Sequence, residues 1–482
     1  CSGHPHLQTP NFDRVASMGV RFNNAYVQSP ICGSSRMCFY TGRYASSHGA
    51  HWNGFPLRVG ELTLGDHLRA NGMACHLIGK THMKADADGL ARLGLKADSI
   101  IGVRQSECGF DPWIRDDGLW AEGPDGFYDS KSSPYNNYLK SKGYDGTNPW
   151  ADYANASVKN SQIATGWIFD NTNLPANIRE EDSETPWLTN EAIKFMDQNT
   201  GPWCAHLSYI KPHWPYIVPM PYASMFGSEH IQPATKALVE KEYPHPVFEQ
   251  FMQNPIGQAF QDENVRQKVI PAYMGLIKQC DDQLGRLLDY LEQNDKLDTT
   301  MIVLTSDHGD YLGDHWLGEK NLFHDPSVKI PLIIYDPSEA AGATRGTVCN
   351  ELVESIDLAS TFIDIIGGQV PDHIVEGRSL VPFLIGEQTE WREYVISEYD
   401  FSAQPIAKTL ELEPRDCRIF MVFDGRYKLM HCAASSLRSM LFDLQTDPDE
   451  LIDLAKDQSH EAEIARLTEY LHAWGLRMSQ RV

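Results

Sequence analysis

The segment TTMIVLTSDHGD (299–310) shows the pattern that decides the fold. A short run of apolar, mostly β-branched residues ends at Ser306 and is followed at once by charged and small polar residues. Such a run is typical of a strand that is buried on both faces of a sheet. Because open α/β sheets bind ligands beyond the carboxyl ends of their strands, we expect the residues after 305 to lie in a functional site.

Three other segments have the same character, and amphipathic segments lie between them. The further predicted strands are MACHLIGKTHM (73–83, ending near Gly79), PWCAHLSYIKPHWPY (202–216, ending near Lys211) and KIPLIIYDP (329–337). The predicted helices are LGDHLRANG (64–72), WLTNEAIKFMDQN (187–199) and YMGLIKQCDDQLGRLLDYLEQN (273–294). Strands that alternate with helices predict an α/β fold, with a large, mostly parallel sheet sandwiched by helices.

The pattern changes after SIDLASTFIDIIGG (355–368), where short antiparallel strands are predicted at 394–400 and 418–432. The second segment contains a hairpin that turns at Asp424-Gly425, and a final helix is predicted at 460–478. We therefore predict a catalytic domain over 1–368 and a smaller α+β subdomain over 369–482. The stretch 104–185 has little periodicity and is predicted to cross the sheet and shape a substrate pocket.

Composition excludes several classes of protein. The 482 residues carry 41 Lys+Arg and 65 Asp+Glu, a net charge of −24, which argues against a general binder of nucleic acid or anionic membranes. No apolar stretch approaches the roughly 20 residues that a membrane span needs. The ten cysteines are scattered without a CxxC pair, which favours reduced thiols and a cytoplasmic over a periplasmic location. The chain begins at Cys1 without an initiator Met, so we expect its true N-terminus upstream.

Polar clusters follow three of the predicted strands, at 79–82, 211–213 and 306–309. They supply lysines, histidines and an aspartate, a set suited to a metal ion together with an anion. A fourth cluster, SPICGSSRMCFYTGRY (29–44), places small residues after Cys32 at the start of a predicted helix, where free backbone N–H groups can face an anion. Arg36 follows one turn later and can bind an oxyanion through its planar fork.

These motifs resemble those of the type I sulfatases, which belong to the alkaline phosphatase superfamily. CGSSR (32–36) followed by TGR (41–43) is similar to the family signature C-x-P-x-R with a following TG pair. The resemblance extends to HPHLQTPNFDRVASMGVRFNNAY (4–26), GKTH (79–82), KPHWPY (211–216), SDHGDYLGDH (306–315), EKNLFHDPSVKIPLII (319–334) and LFDLQTDPDELIDLA (441–455). The chain is similar in particular to arylsulfatases and phosphonate monoester hydrolases.

The resemblance implies a specific chemistry. A formylglycine-generating enzyme would oxidise Cys32 to formylglycine, and one hydroxyl of the hydrated aldehyde would attack a small anionic ester. Asp307 and His308 would ligate one divalent cation, Ca²⁺ or Mn²⁺, with Mg²⁺ as a further candidate. The other expected roles are Arg36 and Lys80 for neutralising the nucleophile and the transferred anion, His82 for breakdown of the covalent intermediate, and His213 and Lys320 for binding the anion and stabilising the leaving oxygen.

The sequence departs from the family pattern in two places. Ser34 stands where the signature has proline, and a first strand carrying further metal ligands would precede residue 4, so we expect the sequence to be incomplete. We expect sulfate ester hydrolysis, which the Lys80/His82 pair favours. Phosphonate monoester or phosphodiester hydrolysis at the same site is the first alternative, and a catalytically silent binding protein is the second. A homo-oligomer is compatible with the sequence.

Overall fold

The computed structural model describes residues 3–118 and 133–478. Cys1 and the part of the predicted 104–185 excursion between 119 and 132 lie outside the described residues. In the described ranges, no helix combines the length and the apolar character that crossing a bilayer requires. The nine cysteines in these ranges are all free thiols.

The strands form two larger mixed or parallel sheets, a C-terminal antiparallel sheet and one hairpin. They are β1 (Val20–Tyr26), β2 (Ala74–Gly79), β3 (Asp111–Arg115), β4 (Ala156–Lys159), β5 (Gln162–Thr165), β6 (Trp203–Ser208), β7 (Ile302–Thr305), β8 (Lys329–Tyr335), β9 (Thr347–Glu354), β10 (Val395–Asp400), β11 (Arg418–Phe423), β12 (Tyr427–Cys432) and β13 (Met440–Asp443).

The α-helices of the described ranges surround these sheets. They are α1 (Pro10–Met18), α2 (Cys32–Thr41), α3 (Ala45–His48), α4 (Leu64–Ala70), α5 (Ala87–Arg92), α6 (Ile100–Ser106), α7 (Pro134–Ser141), α8 (Glu184–Gln198), α9 (Val239–Glu242), α10 (Pro246–Gln253), α11 (Pro255–Gln261), α12 (Glu263–Gln293), α13 (Asp325–Val328), α14 (Asp357–Ile365), α15 (Val381–Ile385), α16 (Pro405–Thr409) and α17 (Glu461–Met478).

The predicted α/β fold is confirmed. One sheet has the order β3-β2-β6 with all neighbours parallel, and the other has the order β7-β8-β1-β9. In the second sheet β8 runs antiparallel to both β7 and β1, while β1 and β9 are parallel. The four strands predicted from apolar runs are β2, β6, β7 and β8.

Two strands of the second sheet were not predicted from the sequence. In β1 the pairing register shifts around Asn23 and Asn24, so a bulge interrupts the alternation by which a strand is recognised. The first half of β9 is largely exposed, and its polar residues obscure the alternation of apolar and polar positions that identifies a strand. Both strands are specified by pairing with distant neighbours rather than by their own pattern.

Helix α12 begins ten residues before the predicted start at 273. Pro271 lies inside it, and a proline lacks the N–H that a helix interior uses. The 31-residue helix nevertheless continues through Pro271 and begins after Asp262, whose side chain accepts a hydrogen bond from the N–H of Asn264. Burial of its apolar face against α1 and α8 offsets the cost of the proline.

The C-terminal sheet has the order β10-β11-β12-β13 and is antiparallel throughout. The predicted hairpin is confirmed: β11 and β12 are joined across Asp424 and Gly425, and the positive φ of Gly425 (92°) is one that glycine adopts without strain. Helix α17 packs on this sheet through Leu467, Leu471 and Trp474. The 368/369 domain boundary itself stays a prediction.

A cavity of about 2150 Å³ lies between the two larger sheets. Its walls include the side chains of β6 and β7, which are edge strands and are mostly only partly buried. The cavity extends to Lys80, Asp307 and His308 at the carboxyl ends of the strands. The expected additional strand upstream of residue 4 stays a prediction.

Candidate active site

Cys32 is the first residue of the buried helix α2 and is 1% exposed. The backbone around it is held by distant polar groups. The N–H of Gly33 donates to Asn53 Oδ1 (2.8 Å), and Ser35 Oγ donates to the carbonyl of Asp307 (2.6 Å). A Cβ on Gly33 would stand 2.8 Å from Asn53 Oδ1, so the small residue is required for this approach. Helix α2 is therefore fixed against the carboxyl end of β7.

Two imidazoles face the thiol. His308 Nε2 lies 3.0 Å from Cys32 Sγ, and His213 belongs to the same group, with the three ligand atoms within 4.8 Å of one another. His213 follows β6 and His308 follows β7, so the ends of strands from different sheets meet here. Polar residues that follow β6 and β7 therefore lie side by side at Cys32.

Arg36 fastens these strand ends together. Its Nε donates to Asp307 Oδ2 (2.8 Å), and its terminal nitrogen donates to the carbonyl of Lys80 (2.9 Å) and to Ser208 Oγ (2.8 Å). Burial opposes ionisation of Asp307, but Arg36, His308 and Lys80 together outweigh it and hold the pKa of that carboxyl well below its ordinary value. Arg36 is 8% exposed, so it acts chiefly by orienting Asp307 and the Lys80 loop.

Positive charge surrounds Cys32. Burial by itself raises the pKa of the thiol, but Lys320, His308 and Lys80 outweigh it and hold the pKa of Cys32 well below its ordinary value. Burial and the Lys320 ammonium lower the pKa of His213 to about 4. Lys320 Nζ lies 3.0 Å from His213 Nε2, which accepts its hydrogen bond. An anionic group bound beside Cys32 therefore faces net positive charge.

His82 is held through its backbone. Asp117 Oδ1 accepts the N–H groups of Thr81 (2.9 Å) and His82 (3.2 Å), while Arg115 pairs with the other Asp117 oxygen. This anchor supports the left-handed conformation of His82 (φ 57°). The Nδ1 atom of His82 is buried and has no hydrogen-bond partner in the part of the chain that the structure describes.

Lys211 does not join the positive cluster, although the sequence placed it there. Its Nζ donates to Asn155 Oδ1 and to the carbonyl of Pro215, both at 2.7 Å. Burial lowers the pKa of Lys211 to about 8. The basic cluster around Cys32 therefore consists of Arg36, Lys80 and Lys320.

Asp307 and His308 fit the expected metal. Asp307 Oδ2 is engaged by Arg36, which leaves Oδ1 for a cation, and this oxygen lies 3.7 Å from His308 Nε2. His308 Nδ1 bonds the carbonyl of Gly309 (2.8 Å), so Nε2 can coordinate. One carboxylate oxygen and one imidazole are compatible with Mn²⁺, Mg²⁺ or Ca²⁺ when further oxygen ligands complete the shell.

Asn53, Asp117 and Ser208 are site residues that sequence reasoning missed. Each acts on the backbone or on Arg36 from a separate part of the chain, and none belongs to a motif of charged residues. Only their placement at the ends of adjacent strands and helices identifies them.

Comparison with known proteins agrees with this geometry. Residues 1–368 match the sulfatase family model, and residues 313–475 match a model described as N-sulphoglucosamine sulphohydrolase, C-terminal. The multifunctional alkaline phosphatase superfamily protein of Trinickia caryophylli is 30% identical over 99% of this chain and 91% of its own length. An arylsulfatase of Clostridium perfringens is 26% identical over 98% of this chain and 90% of its own length.

Solved structures give the same result. A phosphonate monoester hydrolase from Silicibacter pomeroyi is 29% identical, with a TM-score of 0.84 over 98% of this chain and 91% of that chain. A phosphonate monoester hydrolase of Agrobacterium radiobacter is 25% identical, with a TM-score of 0.82 over 100% of this chain and 92% of that chain. The motifs, the strand ends that converge on Cys32 and these matches lead to one conclusion: the chain belongs to the sulfatase family, within the alkaline phosphatase superfamily.

Proposed function

We propose that this protein hydrolyses sulfate esters, aryl or alkyl, with a formylglycine nucleophile formed from Cys32 and a divalent metal ion. The observation that carries the proposal is the convergence of Arg36, Lys80, Lys320 and two imidazoles on Cys32, next to the carboxylate of Asp307. The maturation partner is a formylglycine-generating enzyme, and the substrate is a small anionic ester.

The chain's own residues bind and orient the ester. The ammonium groups of Lys80 and Lys320 face the position of Cys32, where they neutralise the charge of a sulfuryl group. His213 Nε2 accepts a hydrogen bond from Lys320, and this pair is placed to stabilise the leaving oxygen, with Lys320 as the proton donor. Asp117 holds the His82 loop so that Lys80 and His82 leave β2 in a fixed direction.

Asp307 and His308 would hold the metal. A divalent cation bound there supplies Lewis-acid stabilisation of the charge that develops on the transferred group. The free Oδ1 of Asp307 and the Nε2 of His308 are the atoms that reach it, and Arg36 keeps the carboxylate ionised and correctly turned.

Hydrolysis of phosphonate monoesters or phosphodiesters is the second candidate. Two phosphonate monoester hydrolases share the fold of nearly the whole chain, which is a specific reason to test these substrates. The sulfatase proposal is favoured because the Lys80/His82 pair resembles the sulfatase motif and because the arylsulfatase and choline-sulfatase relatives match along most of this chain.

The proposal is tested by two measurements on protein from its native host. The tryptic peptide ending at Arg36 is expected to be lighter by about 18 Da than the unmodified sequence, as conversion of a thiol to an aldehyde requires. Rates on an aryl sulfate, a phosphonate monoester and a phosphodiester, compared in parallel, are expected to be highest on the sulfate. A peptide with only unmodified Cys32 and no turnover would instead support the catalytically silent binding protein.

The metal role makes a separate prediction for Asp307→Asn. This change keeps an acceptor for Arg36 but removes the charge that a cation needs, so kcat should fall by roughly 10²-fold or more while the fold is retained. Metal content measured by elemental analysis should fall with it. Full activity in the variant, or in wild-type protein after chelation, would contradict the metal role.

A further inference from the structure

The three groups nearest the reacting position form a ligand set of their own as long as Cys32 remains a thiol. Cys32 Sγ, a nitrogen of His213 and a nitrogen of His308 all lie within 4.8 Å of one another. We propose that the unconverted protein binds a zinc-class divalent ion through Cys32 Sγ, His213 Nε2 and His308 Nε2. This site goes beyond the proposed function, because it belongs to the form of the chain that cannot carry out the formylglycine reaction.

Both imidazoles are oriented for this purpose by backbone carbonyls. His213 Nδ1 lies 2.6 Å from the carbonyl of Trp214, and His308 Nδ1 lies 2.8 Å from the carbonyl of Gly309. A carbonyl oxygen only accepts, so each Nδ1 carries the hydrogen, and a metal ion that displaces any proton from Nε2 binds each ring through the lone pair of that atom. A carbonyl on the far nitrogen is the usual support of a metal-bound histidine.

The donor set selects the metal. One thiolate and two imidazoles suit Zn²⁺, whereas Ca²⁺ and Mg²⁺ prefer oxygen ligands. Zinc bonds of about 2.3 Å to sulfur and about 2.0 Å to nitrogen place tetrahedral ligand atoms roughly 3.6 Å apart. The observed 3.0 Å between Cys32 Sγ and His308 Nε2, within a group spanning 4.8 Å, requires only small side-chain adjustments. The fourth position remains for water or for Asp307 Oδ1, which is 3.7 Å from His308 Nε2.

Lys320 opposes binding. Its Nζ donates to His213 Nε2 across 3.0 Å, so the ion must replace this hydrogen bond. Cys32 binds the ion as a thiolate, any proton on the sulfur passes to solvent, and no oxidant or reductant is involved. Removal of the Lys320 ammonium is therefore expected to tighten metal binding, the opposite of its expected effect on turnover.

The zinc site and the site expected for catalysis exclude each other. Both use His308 Nε2, and formylglycine lacks the sulfur ligand. We therefore expect bound zinc to fall in proportion as the converted fraction of Cys32 rises, so that preparations of graded conversion give a straight line between these two quantities.

The test uses full-length protein produced without a formylglycine-generating enzyme and titrated with Co²⁺, a spectroscopic substitute for zinc. One equivalent per chain should give a thiolate-to-cobalt charge-transfer band, which added Zn²⁺ removes. The band should be lost in Cys32→Ala and kept in the control Cys38→Ala, whose thiol lies 3.3 Å from His48 Nε2 in a pair that lacks a third ligand among the described residues.

Two further variants make the result decisive. His213→Gln should weaken Co²⁺ binding by roughly 10–100-fold, and Lys320→Gln should strengthen it. Thermal unfolding of each apo variant checks that the fold is intact. Absence of a thiolate band in the folded wild-type protein, or an unchanged band in folded Cys32→Ala, would overturn the proposal. Neither result depends on turnover, so failure of the zinc site and failure of the proposed sulfatase activity remain distinguishable.

Discussion

At the scale of single residues, Ser34 shows how a departure from the family signature is accommodated. It is the third residue of α2 and fully buried, and its Oγ has no hydrogen-bond partner among residues 3–118 and 133–478. The first intrahelical bond runs from the N–H of Ser35 to the carbonyl of Ile31, so the Ser34 N–H precedes the hydrogen-bonded part of the helix. Serine here therefore contributes little that proline could not replace.

Ser34→Pro should consequently be tolerated. Proline in the first turn of a helix loses no intrahelical hydrogen bond, and the change also removes a buried unsatisfied hydroxyl. We expect a free energy of unfolding within about 1 kcal/mol of wild type and a larger converted fraction of Cys32, measured by peptide mass. Ser34→Ala is the control: it removes the same hydroxyl without restoring the signature, and it should leave conversion unchanged. Equal conversion in all three proteins would contradict this role of the signature proline.

At the scale of elements, Gly79 sets how closely β2 and β6 approach before the loop that carries Lys80 begins. Its φ is +108°, and a Cβ there would lie 2.2 Å from the carbonyl oxygen of Ser208. Lys80 follows directly, and its N–H donates to that same carbonyl at 3.1 Å. The strand pair therefore delivers the Lys80 backbone to Arg36 only if residue 79 has no side chain.

Gly79→Ala is expected to reduce the free energy of unfolding by roughly 3 kcal/mol or more, from backbone strain and a clash together. Gly72→Ala is the matched control: its φ is also positive (+79°), but no described atom lies within 4 Å of the added Cβ. It should cost only about 1–2 kcal/mol. Denaturant unfolding of both variants measures the difference, and equal losses would show that close packing of β2 on β6 is not the cause.

At the scale of the whole molecule, the C-terminal sheet holds the segment that follows α2. Glu398 on β10 accepts the N–H of Ser46 (2.7 Å) and also bonds its hydroxyl. Burial raises the pKa of Glu398 to about 7, although the bonds from Ser46 act in the opposite direction. Since the folded pKa exceeds the ordinary 4.5, this group stabilises the fold fully below about pH 4.5, and the contribution is lost as pH rises to about 7.

Glu398→Gln should remove this pH dependence while keeping both contacts to Ser46. The difference in the free energy of unfolding, wild type minus variant, should fall by up to about 3 kcal/mol between pH 4.5 and 7 and then stay level. Unfolding curves at several pH values measure it. A difference that is constant over this window, or that rises with pH, would show that Glu398 is ionised throughout.

The sequence by itself determined the fold class, the four apolar strands and the C-terminal hairpin, while the site residues around Cys32 stay a prediction. These features are local: a buried strand is apolar along its own length, and the residues after it must be polar to serve a site. The same reasoning missed β1, whose bulge breaks the alternation of apolar and polar residues. It also missed the start of α12, where tertiary packing offsets the cost of Pro271 inside the helix.

Only the tertiary structure decided what each charged group contacts. Arg36 and Lys211 are both basic residues in motifs that resemble those of the family, yet one binds Asp307 and the Lys80 loop while the other binds Asn155 and Pro215. Asn53, Ser208 and Asp117 joined the site because separate strands and loops end beside one another there. A side chain's partners depend on distances across the chain, and the pKa of Cys32 depends on every charge packed around it, so neither can be read from neighbours in sequence.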